Sequence, residues 1–116
     1  MFQSLFGRQA AVAVKEMSTA ELHELLQDEN ELMILDVRSP GEFEHDGRIS
    51  EASLIPLQEL EQRISELPKD KTIICVCRSG ARSYNACQLL QSAGFENVIN
   101  MSGGMNDWKR RRFSHL

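Results

Sequence analysis

TIICVCRSGARSYNACQLLQSAGF, residues 72–95, carries two different periodicities on either side of one loop. Thr72 to Val76 is a continuous apolar, largely β-branched run, the pattern of a strand buried on both faces. Beyond Ser83 the apolar positions Ala86, Leu89, Leu90 and Ala93 recur at helical spacing, and Gly94 stands just past the helix end, where a left-handed backbone is favoured. The loop between them, Cys77-Arg78-Ser79-Gly80-Ala81-Arg82, is small and basic. A buried strand feeding a helix through a short loop is half of a βα crossover, and crossovers of this kind build parallel sheets.

The same alternation continues in both directions. Ala11–Val14 reads as a short strand. Ser18-Thr19-Ala20-Glu21 is a capping box opening a helix with Leu22, Leu25 and Leu26 on one face. Leu32 to Leu35 is a second buried strand, ending at Asp36-Val37-Arg38. Ser39-Pro40-Gly41-Glu42 is another capping box, with Pro at the first helical position, and His45-Asp46-Gly47 keeps that helix short. Ala52–Ile55 is a brief strand closed by Pro56. Leu57, Leu60, Ile64 and Leu67 then recur at helical spacing as far as Pro68. A turn at Lys69–Lys71 leads into Thr72. Val98-Ile99 is a last short strand, and Gly103-Gly104 opens a final segment through Trp108. The expected fold is α/β: one domain over residues 1–116, core about 11–112, with a mostly parallel sheet of about five strands and helices on both faces. Ligands of such sheets sit at the carboxyl ends of the strands, where Asp36 and Cys77 fall.

Composition sets the class. At 116 residues, 41% apolar and 26% charged, the chain has enough material for a core without disulfides or a structural metal. Three cysteines, an odd number, and no secretion-signal or membrane-span pattern in MFQSLFGRQAAVAV point to reduced thiols in a cytoplasmic setting. The ends read as complete. The net charge of −4 is unevenly spread: residues 1–70 hold 6 Lys/Arg against 15 Asp/Glu, and residues 71–116 hold 7 against 2. A local positive field in an acidic chain suits a small anionic ligand better than nucleic acid or a membrane.

The loop reads as thiol chemistry. A thiol becomes a good nucleophile as a thiolate, and helix N-termini and cations favour the anion. Cys77 sits where a strand meets a helix start, so unpaired amides are at hand. Ser79, Gly80 and Ala81 let the backbone curl until those amides converge on the sulfur, and Arg78 and Arg82 add charge at the rim. This pattern describes a covalent, cysteine-based catalyst better than a small buried thiol.

At this point the chain resembles the single-domain rhodanese-type sulfurtransferases, over about Ser18 to Trp108. The resemblance is carried by LDVRSPGEFE (35–44), GRISEASLIP (47–56), IICVCRSGARS (73–83), LLQSAGFENVINMSGG (89–104) and Trp108, in this order and spacing. It implies a parallel-sheet α/β domain with no prosthetic group. Cys77 would take sulfur from a donor such as thiosulfate, hold it as a persulfide and pass it to cyanide or to a thiol such as glutathione or thioredoxin. By position, Arg78, Ser79, Gly80, Ala81 and Arg82 supply the substrate-binding amides and charge, and Asp36 and Arg38 form the pocket wall. The family's usual GHIPGA stretch reads GRISEA here, with Arg48, Ser50 and Glu51 in place of His, Pro and Gly. Two alternatives stand beside this one: a persulfide carrier or regulatory module fed by a protein donor such as a cysteine desulfurase, and an arsenate reductase or phosphatase. The loop spacing Cys-x4-Arg disfavours the last, because cysteine phosphatases resemble Cys-x5-Arg.

The remaining chemistry-bearing residues have plainer readings. Cys75, two residues before Cys77, points to the same side of the sheet and could resolve or relay sulfur, but packing is the expectation. Cys87 is expected to be packed or partly exposed. No CxxC or HxxxH spacing supports a zinc site. His23 on the polar side of its helix, His45 in a loop and His115 in the tail do not read as catalytic. Trp108 reads as core. Lys109 to Arg112 reads as a solvated cluster complementing a helix C-terminus rather than an RNA site.

Overall fold

The computed structural model describes residues 13–28 and 31–113. Five strands form one parallel sheet: β1 (Lys15–Met17), β2 (Leu32–Asp36), β3 (Ser53–Leu54), β4 (Thr72–Val76) and β5 (Val98–Met101). Their order is β1-β5-β4-β2-β3, which places β4 at the centre. The β2–β4 register pairs Ile34 with Ile74 and Asp36 with Val76, so both strands deliver their carboxyl ends to the same edge.

The period of two along β4 divides the core between the two faces. Ile73, Cys75 and Cys77 join Leu35, Val37, Leu60, Leu90 and Phe95 on one side. Ile74 and Val76 join Leu22, Ile34, Ile49, Met101, Met105 and Trp108 on the other. The first face is covered by α3 (Leu57–Leu60) and α4 (Ala81–Ser92), the second by α1 (Thr19–Leu26) and α5 (Gly104–Arg111). Trp108 is fully buried, as its place in the core pattern implies. Both capping boxes form, at Ser18/Glu21 ahead of α1 and at Ser39/Glu42 ahead of α2 (Pro40–His45).

Several local expectations need correction. The first strand lies at Lys15–Met17, not Ala11–Val14: Ala11 and Val12 are outside the described residues, and Val14 packs into the core just before the ladder to β5 begins. The segment between Pro56 and Pro68 is not one α-helix. After the single turn of α3 it tightens into a 3-10 stretch, Glu61–Glu66, with Arg63 at φ −116° and ψ 15°. Arg63 bridges Glu59 and Glu66 there, while Leu60 and Leu67 still reach the core. His23 is not simply on a polar face: its ring stacks on Phe113 at 4.2 Å. His115 lies outside the described residues. Arg110 and Arg111 both pair with Asp107 on their own helix. Among the described residues no helix is long and apolar enough to cross a membrane.

Candidate functional site

The site is built where β4 ends. Two helices fix the loop that follows. The amides of Met105 and Asn106, at the start of α5, donate to the carbonyls of Cys77 and Arg78 at 2.8 and 2.9 Å. That approach is possible because residue 104 is glycine. Its φ is +62°, and a Cβ there would stand 2.3 Å from the Arg78 carbonyl oxygen. Gly103-Gly104 is therefore the tight turn that seats the last helix against the loop.

The second helix, α4, starts at Ala81 behind Gly80, whose φ of +107° suits glycine. Its N-cap residue, Gly80, has no side chain to cap it. The sulfur of Cys77 takes that place. Its Sγ accepts from the Gly80 amide at 3.1 Å and from the Ser83 amide at 3.3 Å, and the Ser83 hydroxyl lies 3.2 Å away. These are the orphan donors of a helix N-terminus, aimed at one atom. Burial of the sulfur opposes its ionisation, but the Ser83 hydroxyl and the amides of Ser83, Gly80 and Ser79 outweigh burial and hold the thiol below its usual range.

The positive charge expected at the rim is partly cancelled. Arg82 grips Glu42 with two parallel bonds, Nη1 to Oε1 and Nη2 to Oε2, both 2.8 Å. Arg78 reaches the same carboxylate, with Nη2 3.0 Å from Oε2. The hydrogen bond from Arg82, together with the Ser39 amide, overrides desolvation and holds the Glu42 carboxyl far below the usual carboxylate range. Glu42 thus caps α2 and ties that helix to the loop. Its place in the capping box had given it a sufficient explanation in the sequence. A hydroxyl one residue after Arg82 was the available signal for Ser83, the other residue that sequence reasoning left out of the site.

Asp36 and Arg38 lie below the loop. Arg38 is 2% exposed and Asp36 0%. The guanidinium forks onto the carboxylate at 2.8 to 3.1 Å and spends a further N–H on the Gly47 carbonyl at 2.9 Å. Arg38 does line a cleft, of about 290 Å³, together with Arg78, Asn106 and Lys109. Asp36 is the buried counter-charge that fixes it.

The other thiols behave differently from Cys77. Cys87 is fully buried, not partly exposed, and Cys75 is buried on the same face as Cys77. A hydrogen-bond contact with Cys87, with burial, pushes the Cys75 thiol well above its usual range. Two cysteines two positions apart are therefore shifted in opposite directions, Cys77 beside a helix start and Cys75 in the core. Arg48, one of the three substituted positions of the GRISEA stretch, stacks over the Phe43 ring at 4.5 Å.

Known proteins resemble this chain in sequence and fold. The family model described as Rhodanese-like domain matches residues 18–111. A sulfurtransferase of Allochromatium vinosum is 38% identical over 97 residues, which cover 84% of this chain and 90% of that protein. The thiosulfate sulfurtransferase GlpE of Pseudoalteromonas translucida is 33% identical over 98 residues, covering 84% and 91%. Among solved structures, a rhodanese-related protein from Thermoplasma volcanium superposes with a TM-score of 0.79 at 28% identity, over 88% of this chain and 97% of its own. By the family model and these relatives, the chain belongs to the rhodanese-like family of sulfurtransferases and sulfur carriers.

Proposed function

We propose that this protein transfers sulfane sulfur through a persulfide on Cys77. The observation that carries the reading is the convergence of the Gly80 amide, the Ser83 amide and the Ser83 hydroxyl on one sulfur atom. Those donors favour the thiolate as attacking group, and again as the leaving group that returns at the end. With thiosulfate, the Cys77 thiolate attacks the outer sulfur. An S–S bond forms on Cys77, the original S–S bond breaks, and sulfite departs with its electron pair. Cyanide or a thiolate then attacks the outer sulfur of the persulfide, and the Cys77 thiolate is restored. Arg78, Ser79, Gly80, Ala81 and Arg82 supply the cradle. Asp36 and Arg38 act as its electrostatic floor, and no metal or prosthetic group takes part. A reducing, cytoplasmic-type compartment suits the thiol.

One observation favours a second reading, that of a persulfide carrier fed by a protein donor. Glu42 occupies both loop arginines, so less charge is left for a free dianion than two unpaired guanidiniums would offer. Steady-state kinetics separate the two. Thiosulfate and cyanide should give thiocyanate with ping-pong kinetics, abolished in Cys77→Ser. Sulfur loading without multiple turnovers would assign the carrier role, and hydrolysis of phosphate esters or reduction of arsenate would overturn both.

A further inference from the structure

The hydroxyl of Ser83 has one proton and two neighbours able to accept it. One is Cys77 Sγ at 3.2 Å. The other is Asn100 Oδ1 at 2.5 Å, on β5. The orientation of that amide is dictated by its other end. Asn100 Nδ2 faces the Glu16 carboxylate at 3.1 Å and the Gly80 carbonyl at 3.1 Å, and neither of those groups can donate. Nδ2 must therefore point at them, and Oδ1 must point at Ser83. Asn100 is only 2% exposed, so water offers its Oδ1 no easy replacement partner.

The consequence is a conflict over one proton. While Cys77 is a thiol, every group can be satisfied in line: S–H donates to Ser83 Oγ, and Ser83 O–H donates to Asn100 Oδ1. When the sulfur becomes an anion, the Ser83 proton is pulled to Sγ and Asn100 Oδ1 is left bare. We propose that Asn100 is a positioning residue that holds the Ser83 hydroxyl proton away from Cys77 until negative charge develops on the sulfur. In a persulfide the inner sulfur carries little charge and Ser83 stays with Asn100. As an acceptor draws off the outer sulfur, the inner sulfur becomes an anion and the proton swings to meet it. The Glu16 end of this chain opens on a groove of about 460 Å³ lined also by Gly80, Tyr84, Asn85 and Ser102.

The inference concerns the hydrogen bonds of the thiol and needs no sulfur donor, so it stands or falls separately from the proposed transfer activity. Its test is the pH dependence of Cys77 alkylation by iodoacetamide in the full chain, quantified at Cys77 by peptide mass. The charged and titratable groups around the sulfur are Arg82 and Cys87 on α4, Cys75 on β4, and Arg78 in the loop. Asp36 and Arg38 lie at the end of β2, Glu42 on α2 and Glu16 on β1, and all of these are common to every variant compared. Asn100→Val frees the Ser83 proton and should raise alkylation near neutral pH by about threefold, with the titration midpoint moved to lower pH. Asn100→Asp keeps an acceptor for Ser83 and adds charge, and should move the midpoint the other way. A purely structural Asn100, needed only to anchor the Gly80 carbonyl, would make both variants shift in the same direction. In a Ser83→Ala background Asn100→Val should have no effect. Should Asn100→Val not melt cooperatively, Asn100→Ala, which likewise carries no acceptor, is read in the same way. A fall or no change in reactivity in a folded variant, or an equal rise without Ser83, would overturn the proposal.

Discussion

Arg82 and Glu42 stand 40 positions apart in the chain and meet in a fork-to-fork pair, with both bonds at 2.8 Å. The pair joins the helix after β2 to the loop after β4. It sets the orientation of the loop's last arginine and the net charge that a donor meets at the rim. Because the Glu42 carboxyl is depressed in the folded protein, the pair also links acidity to stability.

The sign follows from that depression. In the unfolded chain Glu42 titrates near about 4.3; above that pH the folded state gains from the bridge, and the gain is lost progressively as pH falls toward the much lower folded value. Glu42→Gln keeps an acceptor for the capping box but removes the charge. The variant should be less stable than wild type in urea melts at neutral pH, and the difference should shrink below about pH 4. A pH-independent difference would mean that packing, not charge, is what Glu42 supplies.

Asp36→Ala would leave the Arg38 guanidinium buried with, among the described residues, only the Gly47 carbonyl as a hydrogen-bond partner. Removal of one member of a buried ion pair costs about 3–5 kcal/mol, so the denaturation midpoint should fall sharply. Asp36→Asn, which still accepts hydrogen bonds, should cost less. A loss under about 1 kcal/mol for Asp36→Ala would show that water reaches Arg38.

Gly104→Ala should act on the loop more than on the helix that it begins. The new methyl would collide with the Arg78 carbonyl, and the left-handed backbone at this position adds strain. Cys77 alkylation at neutral pH should drop, because the carbonyls of Cys77 and Arg78 can no longer sit on the α5 amides. Unchanged thiol reactivity would mean that the loop holds its shape without that support.

Cys75→Ala and Cys87→Ala should each lower stability by about 1 kcal/mol through lost packing and leave sulfur uptake at Cys77 intact. Both side chains are fully buried, and the Cys75 thiol is held protonated. Failure of either variant to load sulfur would assign that cysteine a part in the relay.

Much of this was legible in the chain because local rules and tertiary structure agree. Ser18 and Ser39 cap their helices as their spacing with Glu21 and Glu42 implies, and the uninterrupted run Thr72–Val76 is the central strand. The loop spacing places Cys77 under the amides that its position suggested. The misses share a cause. Glu42 already had a local role, so nothing in sequence pointed to its second, long-range one. The pairing of Ser83 with Asn100 crosses from α4 to β5 and leaves no periodic trace. Ile64 and Leu67 keep helical spacing, yet Arg63 breaks the helical backbone between two acidic partners. At Ala11–Val14 apolar content suggested a strand, while the pairing to Ile99–Met101 placed the ladder three to four residues later, at Lys15–Met17.

The central claim is that Cys77 carries the sulfur, and the mass of the intact protein tests it most directly. Wild type and Cys77→Ser are incubated with thiosulfate, freed of excess reagent and weighed before and after cyanide. The account predicts a gain of one sulfur atom on the wild type, its loss to cyanide, and no gain on the variant. An unmodified wild type with its thiol free, or a Cys77→Ser variant that loads sulfur as well as wild type, would contradict it.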